Sequence, residues 1–206
     1  MPKIALLDYD SGNLFSVAQA LRHEGGEVTL VESPEGLETE AFDGMVLPGV
    51  GAFGDAARKL ESRGLSQPVR DWIAADRPFL GICVGYQLLF ESSTESPGVP
   101  GLGVLKGQVR RFADNGLKIP QIGWNCVQLK ERTGVFAAQP IDAWFYFVHG
   151  YFPEPEDGGC VIGHAEYGET FAAAVQRGRM AATQFHPEKS QENGLRLLRH
   201  FVEGMH

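Results

Sequence analysis

The sequence predicts an α/β fold: an open, mostly parallel sheet with helices on both faces and antiparallel strands added in its second half. Three observations carry this. Short β-rich runs alternate with helical patterns through residues 3–91, the second half is dominated by strand-like runs separated by glycine-rich turns, and at 79–91 a strand runs directly into a helix around one cysteine. Strands alternating with helices require right-handed βαβ crossovers, and hence a parallel sheet.

The elements follow in order. Residues 3–9 read as a buried strand. Asn13 then caps a helix with apolar residues at Leu14, Val17, Ala18 and Leu21, stopped by Gly25 and Gly26. Strands follow at 27–31 and 44–47, helices at 55–63 and 65–74, a strand at 79–82 and a helix at 86–91. Beyond them, 102–112, 124–129, 144–152, 160–167 and 170–175 are strand-like, 180–185 is a further strand, and 191–202 is a closing amphipathic helix. The glycine and proline clusters at 98–101 and 153–159 mark exposed loops. No repeat or linker divides the chain, so residues 1–206 are expected to form a single domain.

Bulk properties exclude several classes of function. With 43% hydrophobic and 21% charged residues the composition is that of an ordinary globular protein. No apolar run reaches the roughly 20 residues of a membrane span, and the start MPKIALLDYD enters a strand without a signal peptide, so a cytoplasmic location is expected. Cys83, Cys126 and Cys160 form no CxxC pair, which argues against a disulfide framework and a structural zinc site; no metal or cofactor is expected. A net charge of −8 makes nucleic acid and anionic membranes unsuitable partners.

The chemistry centres on 81-GICVGYQ-87. Free cysteine is usually a small buried hydrophobe. Here, however, Gly81 and Gly85 flank Cys83 in a Gly-x-nucleophile-x-Gly pattern, which lets a strand end in a sharp, strained turn and a helix begin at once. That turn lifts the thiol above the carboxyl edge of the sheet, where open α/β folds build their sites. It also aims the Val84 N–H at the place where an oxyanion would form, and the helix start favours thiolate. Neither Cys126 nor Cys160 has glycines paired on both sides in this way.

A cysteine nucleophile needs a base, and the base an orienting group. His23 and His200 fall on helices, at positions expected to face solvent, and His206 is the terminus. His149 ends an aromatic strand, while His164 and His186 each have a glutamate two residues on, Glu166 and Glu188. In extended backbone residues i and i+2 face one side, and Pro187 biases His186 toward that conformation. Spacing thus favours His186 without eliminating His164.

Residues 49–54, GVGAFG, match the dinucleotide fingerprint, with Asp71 standing for the ribose-binding acid, and so raise an NAD-dependent oxidoreductase as an alternative. Against it, Pro48 interrupts the turn, Asp55 puts negative charge where a pyrophosphate would sit, and Asp71 falls in a helical pattern. The better use of this loop is to bring backbone donors from Gly49, Val50 and Gly51 to an oxyanion or substrate beside Cys83.

With PGVGAFG, GICVGYQ and FHPE together, the chain resembles the class I glutamine amidotransferases over essentially its whole length. YDSGNLFSV, PQIGWN, FYFVHGY and ATQFHPEKS narrow the resemblance to those whose glutaminase works beside a (β/α)8 cyclase in histidine biosynthesis. The resemblance implies Cys83 as nucleophile, His186 as base and then acid, and Glu188 as its orienter. It further implies oxyanion and substrate contacts from Gly49, Val50, Gly51, Val84 and Gln87. L-glutamine would be the substrate and the cyclase a heterodimeric partner, meeting Asn13, Gln121, Trp124 and Lys189. Two positions depart from the family pattern. Gln121 stands where histidine is usual and cannot titrate, and Gly150 replaces a residue that is often hydroxylic. A non-catalytic regulatory protein that keeps the fold remains a third alternative.

Overall fold

A computed structural model describes the chain except for Ser11, residues 38–40, Asn115 and His206. The serine of YDSGN and the terminal histidine therefore lie outside the described residues. The first half runs β1 (Lys3–Leu7), α1 (Leu14–His23), β2 (Glu27–Val31), β3 (Gly44–Leu47), α2 (Phe53–Ser62), α3 (Ser66–Ala74), β4 (Phe79–Ile82) and α4 (Val84–Gln87). It continues through β5 (Ser92–Ser93), β6 (Gly107–Arg111), β7 (Gln121–Leu129), β8 (Asp142–His149), β9 (Tyr151–Pro155), β10 (Val161–Glu166), β11 (Thr170–Arg177), β12 (Met180–Thr183) and α5 (Gln191–Glu203).

Among the described residues the main sheet has the order β2-β1-β3-β4-β12-β11-β10-β7-β8. Pairing is parallel from β2 through β12 and antiparallel from β12 to β8. The connection from β1 to β2 moves one way along the sheet and that from β3 to β4 moves the other. Right-handed crossovers therefore put α1 on one face and α2 with α3 on the other, and α1 packs against α5 while α2 packs against α4. The fully buried strands β3 and β4 are covered on both faces and read as continuous apolar runs. A second sheet, β5-β6-β9, folds beside the first.

The departures from the sequence expectation have physical causes. Helix α2 starts at Phe53 rather than residue 55 because its first N–H groups find distant partners: Phe53 N–H donates to Glu95 Oε2 (2.7 Å) and Gly54 N–H to Ser96 Oγ (3.1 Å). The helix expected at 86–91 is instead the single turn α4, beginning at Val84. It cannot continue, because the carbonyls of Leu88, Leu89 and Phe90 accept from the N–H groups of Leu102, Leu105 and Gly103. The same bonds hold 102–105 out of any strand, so the expected strand at 102–112 shrinks to β6. The aromatic run at 144–152 breaks at Gly150, with β8 joining the main sheet and β9 pairing with β6. Strand β9 also takes in 153–155, which the prolines and glycines had marked as loop. Asn13 sits at the start of α1 but does not cap it, since its φ is +57° and its side chain bonds elsewhere.

Gly85 shows how closely this region packs, because a Cβ there would collide with the Leu47 carbonyl of β3. We expect Gly85→Ala to destabilise the protein by about 3 kcal/mol, since backbone cannot move aside as a side chain can; urea unfolding measures this.

Candidate active site

Cys83 is the residue immediately beyond β4, with φ 55° and ψ −108°, a conformation costly for any residue with a Cβ. Its neighbours supply the clearance. A Cβ on Gly81 would lie 3.1 Å from the Gly85 carbonyl oxygen, and one on Gly49 would lie 2.7 Å from Tyr9 Oη and 2.8 Å from Val84 Cβ. Because α4 is one turn long, its dipole does less for the sulfur than the sequence suggests, and the nearest charged group matters more.

That group comes from β12, the parallel neighbour of β4. Ile82 pairs with Thr183, and Cys83 N–H donates to the Thr183 carbonyl at 2.8 Å. Three residues on, His186 is extended (φ −99°, ψ 98°), as a residue before proline should be. Its N–H donates to the Tyr146 carbonyl at 2.9 Å, and its carbonyl accepts from Ser190 Oγ at 2.6 Å. Ser190 Oγ in turn accepts from Tyr146 N–H at 2.9 Å, so β8 and the start of α5 clamp the histidine. His186 Nδ1 lies 2.8 Å from Glu188 Oε1. Glu188 belongs to a 3₁₀ turn, Pro187–Lys189, rather than to extended chain, so the turn and not strand alternation brings its carboxylate back to the ring. The carboxylate is fully buried, and its Oε1 also accepts from Asn13 Nδ2 at 2.6 Å.

His186 and Cys83 line the same cavity, and the cysteine acts on the charge of the ring. Burial alone would discourage its charge, but Cys83 and then Glu188 outweigh burial and push its pKa up to about 10. Nδ1 faces the carboxylate, which leaves Nε2 for the sulfur. The trio can hold an imidazolium in front of the carboxylate and return a proton to a leaving group.

The three residues do not stand alone. A cavity of about 150 Å³ opens over Cys83, Val84, Gln87 and His186, between Val50–Gly51 on one side and Val148–Tyr151 on the other, with Glu95 and Lys189 at its rim. Larger clefts lie elsewhere, and the one lined by Arg179 and His200 has no cysteine on its walls.

The oxyanion donors are arranged differently from expectation. Val84 N–H points at the Gly49 carbonyl, 3.4 Å away, so Gly49 presents an acceptor where a donor was expected. Val50 is partly exposed and Gly51 has φ +90°. Gln87 is buried, and both hydrogens of its amide are taken up inside the protein, by the Tyr151 carbonyl (3.0 Å) and Gln184 Oε1 (3.2 Å). Only its Oε1 is left for a substrate. Of the four positions assigned to a partner, Trp124 and Lys189 are exposed, whereas Gln121 is buried and Asn13 is turned onto Glu188.

The other candidates fall away on geometry. His164 lies on β10, two strands beyond β12. His23 is exposed as expected, but the His200 side chain is only 30% accessible. His149 lines the cavity, yet its ring is held by the Tyr151 carbonyl at Nδ1 (2.9 Å) and the Gln121 carboxamide at Nε2 (3.0 Å). Cys160 is buried and bonds the Asp157 carbonyl, and Cys126 is half-buried. Asp71 is on α3, accepting from Gln67, and the next strand ends elsewhere, which removes the ribose-binding acid of the dinucleotide reading. Glu95, Gln184 and Ser190 were missed by sequence reasoning. Gln184 and Ser190 could have been suspected from their places beside FHPE; Glu95 carries no local signal.

His149 yields a pH prediction. Burial lowers its pKa from 6.5 to about 4, so the fold keeps the ring neutral. The unfolded chain takes up this proton first, and stability present above about pH 6.5 is lost as pH falls toward 4, by up to about 3 kcal/mol. Urea unfolding across this range should show the loss, and His149→Asn should flatten it.

Known proteins resemble this chain along nearly its whole length. Residues 5–205 match the family model described as glutamine amidotransferase class-I. The chain is 47% identical over 204 residues to imidazole glycerol phosphate synthase subunit HisH of Synechococcus sp. (strain JA-3-3Ab), covering 98% of this chain and 93% of that one. It is 46% identical over 198 residues to HisH of Symbiobacterium thermophilum (strain DSM 24528 / JCM 14929 / IAM 14863 / T), covering 96% and 92%. Among solved structures, PurLQS from Thermotoga maritima superposes with a TM-score of 0.77 at 18% identity, covering 100% of this chain and 99% of that one. A glutamine amidotransferase from Thermotoga maritima gives 0.69 at 20% identity, covering 99% and 97%. These two share the fold. On the sequence matches, the chain belongs to the class I glutamine amidotransferase family.

Proposed function

We propose that this chain, as one unit spanning 1–206, is the glutaminase subunit of an imidazole glycerol phosphate synthase, with Cys83, His186 and Glu188 as its catalytic triad. The Cys83 thiolate attacks the carboxamide carbon of L-glutamine, and His186 passes its proton to the departing ammonia. Water, activated by the same imidazole, then hydrolyses the γ-glutamyl thioester to glutamate. Glu188, steadied by Asn13, orients the ring. The observation that carries this reading is the placement of Cys83 and His186 just past adjacent parallel strand ends, with Glu188 2.8 Å behind the ring.

Ammonia released to solvent would be protonated and lost, so it passes to a (β/α)8 cyclase partner, which forms imidazole glycerol phosphate and AICAR in histidine biosynthesis. The assembly is assigned to the cytoplasm; among the described residues no helix is long and apolar enough to cross a membrane. Support for a partner comes from the exposed apolar side chains near the cavity. Phe15 follows Asn13 closely, Val50 lines the cavity, and Ile122 and Trp124 stand on β7 beside β8, with exposures of 75%, 39%, 59% and 43%. Exposed apolar side chains of this size suit a surface that a partner covers.

The Gly49 carbonyl facing Val84 N–H describes a resting loop. A turned Gly49–Val50 peptide would present an N–H instead, and a docked partner selects that state. Glutamate release should be slow for the isolated chain and rise about 10²-fold with the cyclase and its ligand, the effect of one oxyanion donor. Equal rates for chain alone, with cyclase, and with liganded cyclase would overturn this. Cys83→Ala should remove glutaminase activity by at least about 10³-fold while cyclase binding persists. Trp124→Ala should weaken that binding by about 2 kcal/mol without altering Cys83 alkylation. A wild-type chain that binds the cyclase but never releases glutamate would instead be a regulatory protein.

A further inference from the structure

We propose that Gln184 is a positioning residue that donates a hydrogen bond to the Cys83 sulfur, with its direction dictated through Gln87 by the backbone carbonyl of Tyr151. This rests on the reading of Cys83 as the nucleophile. Gln184 Nε2 lies 3.7 Å from Cys83 Sγ, and the residue is completely buried. A terminal carboxamide can present either its oxygen or its amino group, so the contact alone does not establish a donor. The surrounding chain of bonds does.

The Tyr151 carbonyl can only accept. Tyr151 opens β9, where it pairs with Arg111, so its backbone is held in register. Gln87 faces that carbonyl at 3.0 Å and must therefore present its amino group. The second hydrogen of the same nitrogen reaches the Gln184 carboxamide at 3.2 Å, so Gln184 must present its oxygen there. Its amino group is then turned toward Cys83 Sγ. Reversing Gln184 would set two amino groups against each other; reversing Gln87 as well would set two oxygens against each other at Tyr151. His149 Nδ1–H donates to the same Tyr151 carbonyl, which therefore accepts from both side chains. Orientation is thus transmitted from a backbone oxygen to the sulfur through two buried amides.

The consequence is chemical. The Val148 carbonyl, 4.0 Å from Sγ, is an acceptor that suits the thiol. An N–H aimed at sulfur suits the thiolate, and in a buried site a donor to a charged group counts for more than one to a neutral group. The donor is neutral, so it stabilises the anion without competing with His186 for a proton. It also sits on the segment that delivers His186, two residues away, so the strand end that brings the base brings the donor too.

The test is the pH dependence of iodoacetamide alkylation, mapped to the Cys83 peptide, in the wild type and in Gln184→Met, which keeps the length and removes the donor. We expect alkylation near neutral pH to slow about tenfold, with the profile displaced to higher pH and the same plateau rate at alkaline pH. A packing role would lower the plateau and leave the midpoint alone. An unchanged midpoint in folded Gln184→Met overturns the proposal. If that variant fails to fold, nitrogen-15 resonances of the wild-type Gln184 side chain decide: they must move when Cys83 is alkylated, and insensitivity overturns it. Wild-type protein that is not alkylated at Cys83 at all would overturn the nucleophile itself, a separate outcome.

Discussion

The site depends on one pairing, that of β4 with β12. These strands are separated by about half the chain, yet the parallel ladder matches Ile82 with Thr183 and closes on the Cys83 N–H to Thr183 bond. The triad begins one to five residues beyond that point, on both strands at once. Cys83 turns out of β4; Gln184, His186 and Glu188 follow β12. Parallel pairing is what makes this possible, because only parallel neighbours deliver their carboxyl ends to the same edge. A register shift of one residue would turn every following side chain to the other face.

Burial at this junction is costly and is offset locally. Glu188, His186, Gln87, Gln184, Gln121 and His149 are all polar side chains removed from water. Each buried polar group must find partners or destabilise the fold. Most partners here are other members of the same group or rigid backbone carbonyls, so the network orients itself. Glu188 Oε1 gathers both His186 and Asn13, while its Oε2 is buried without a hydrogen-bond partner among the described residues. The concentration of both donors on one oxygen holds the carboxylate in a single orientation behind the ring.

Glycine placement reflects two separate demands. At Gly81 and Gly85 the need is space: a Cβ on Gly85 would collide with the Leu47 carbonyl, and one on Gly81 would press on the Gly85 carbonyl. At Gly51 the need is a positive φ, which lets the 49–54 loop turn back beside the nucleophile. The structure turns the Gly49 carbonyl toward the Val84 N–H, and the proposed turn of the Gly49–Val50 peptide would put an N–H in its place. A site that is built but not armed fits a glutaminase whose ammonia is useful only when a partner is ready to receive it.

By itself the sequence determined the fold class, the strained cysteine turn and the histidine–glutamate spacing. These rest on local rules: alternation of periods, glycine where the backbone must turn, and extension before proline. It also identified the family through short motifs whose residues stand together along the chain. What it could not determine were contacts between distant segments. Asn13 reads as a helix cap, but 175 positions separate it from the Glu188 carboxylate it binds. The early start of α2 depends on Glu95, and the early end of α4 depends on 102–105 taking its carbonyls. Gln184 has no pattern of its own, and its direction is decided only by which groups surround it. Local propensity reads one segment at a time, whereas hydrogen bonds that close over tens of residues exist only once the sheet has brought their ends together.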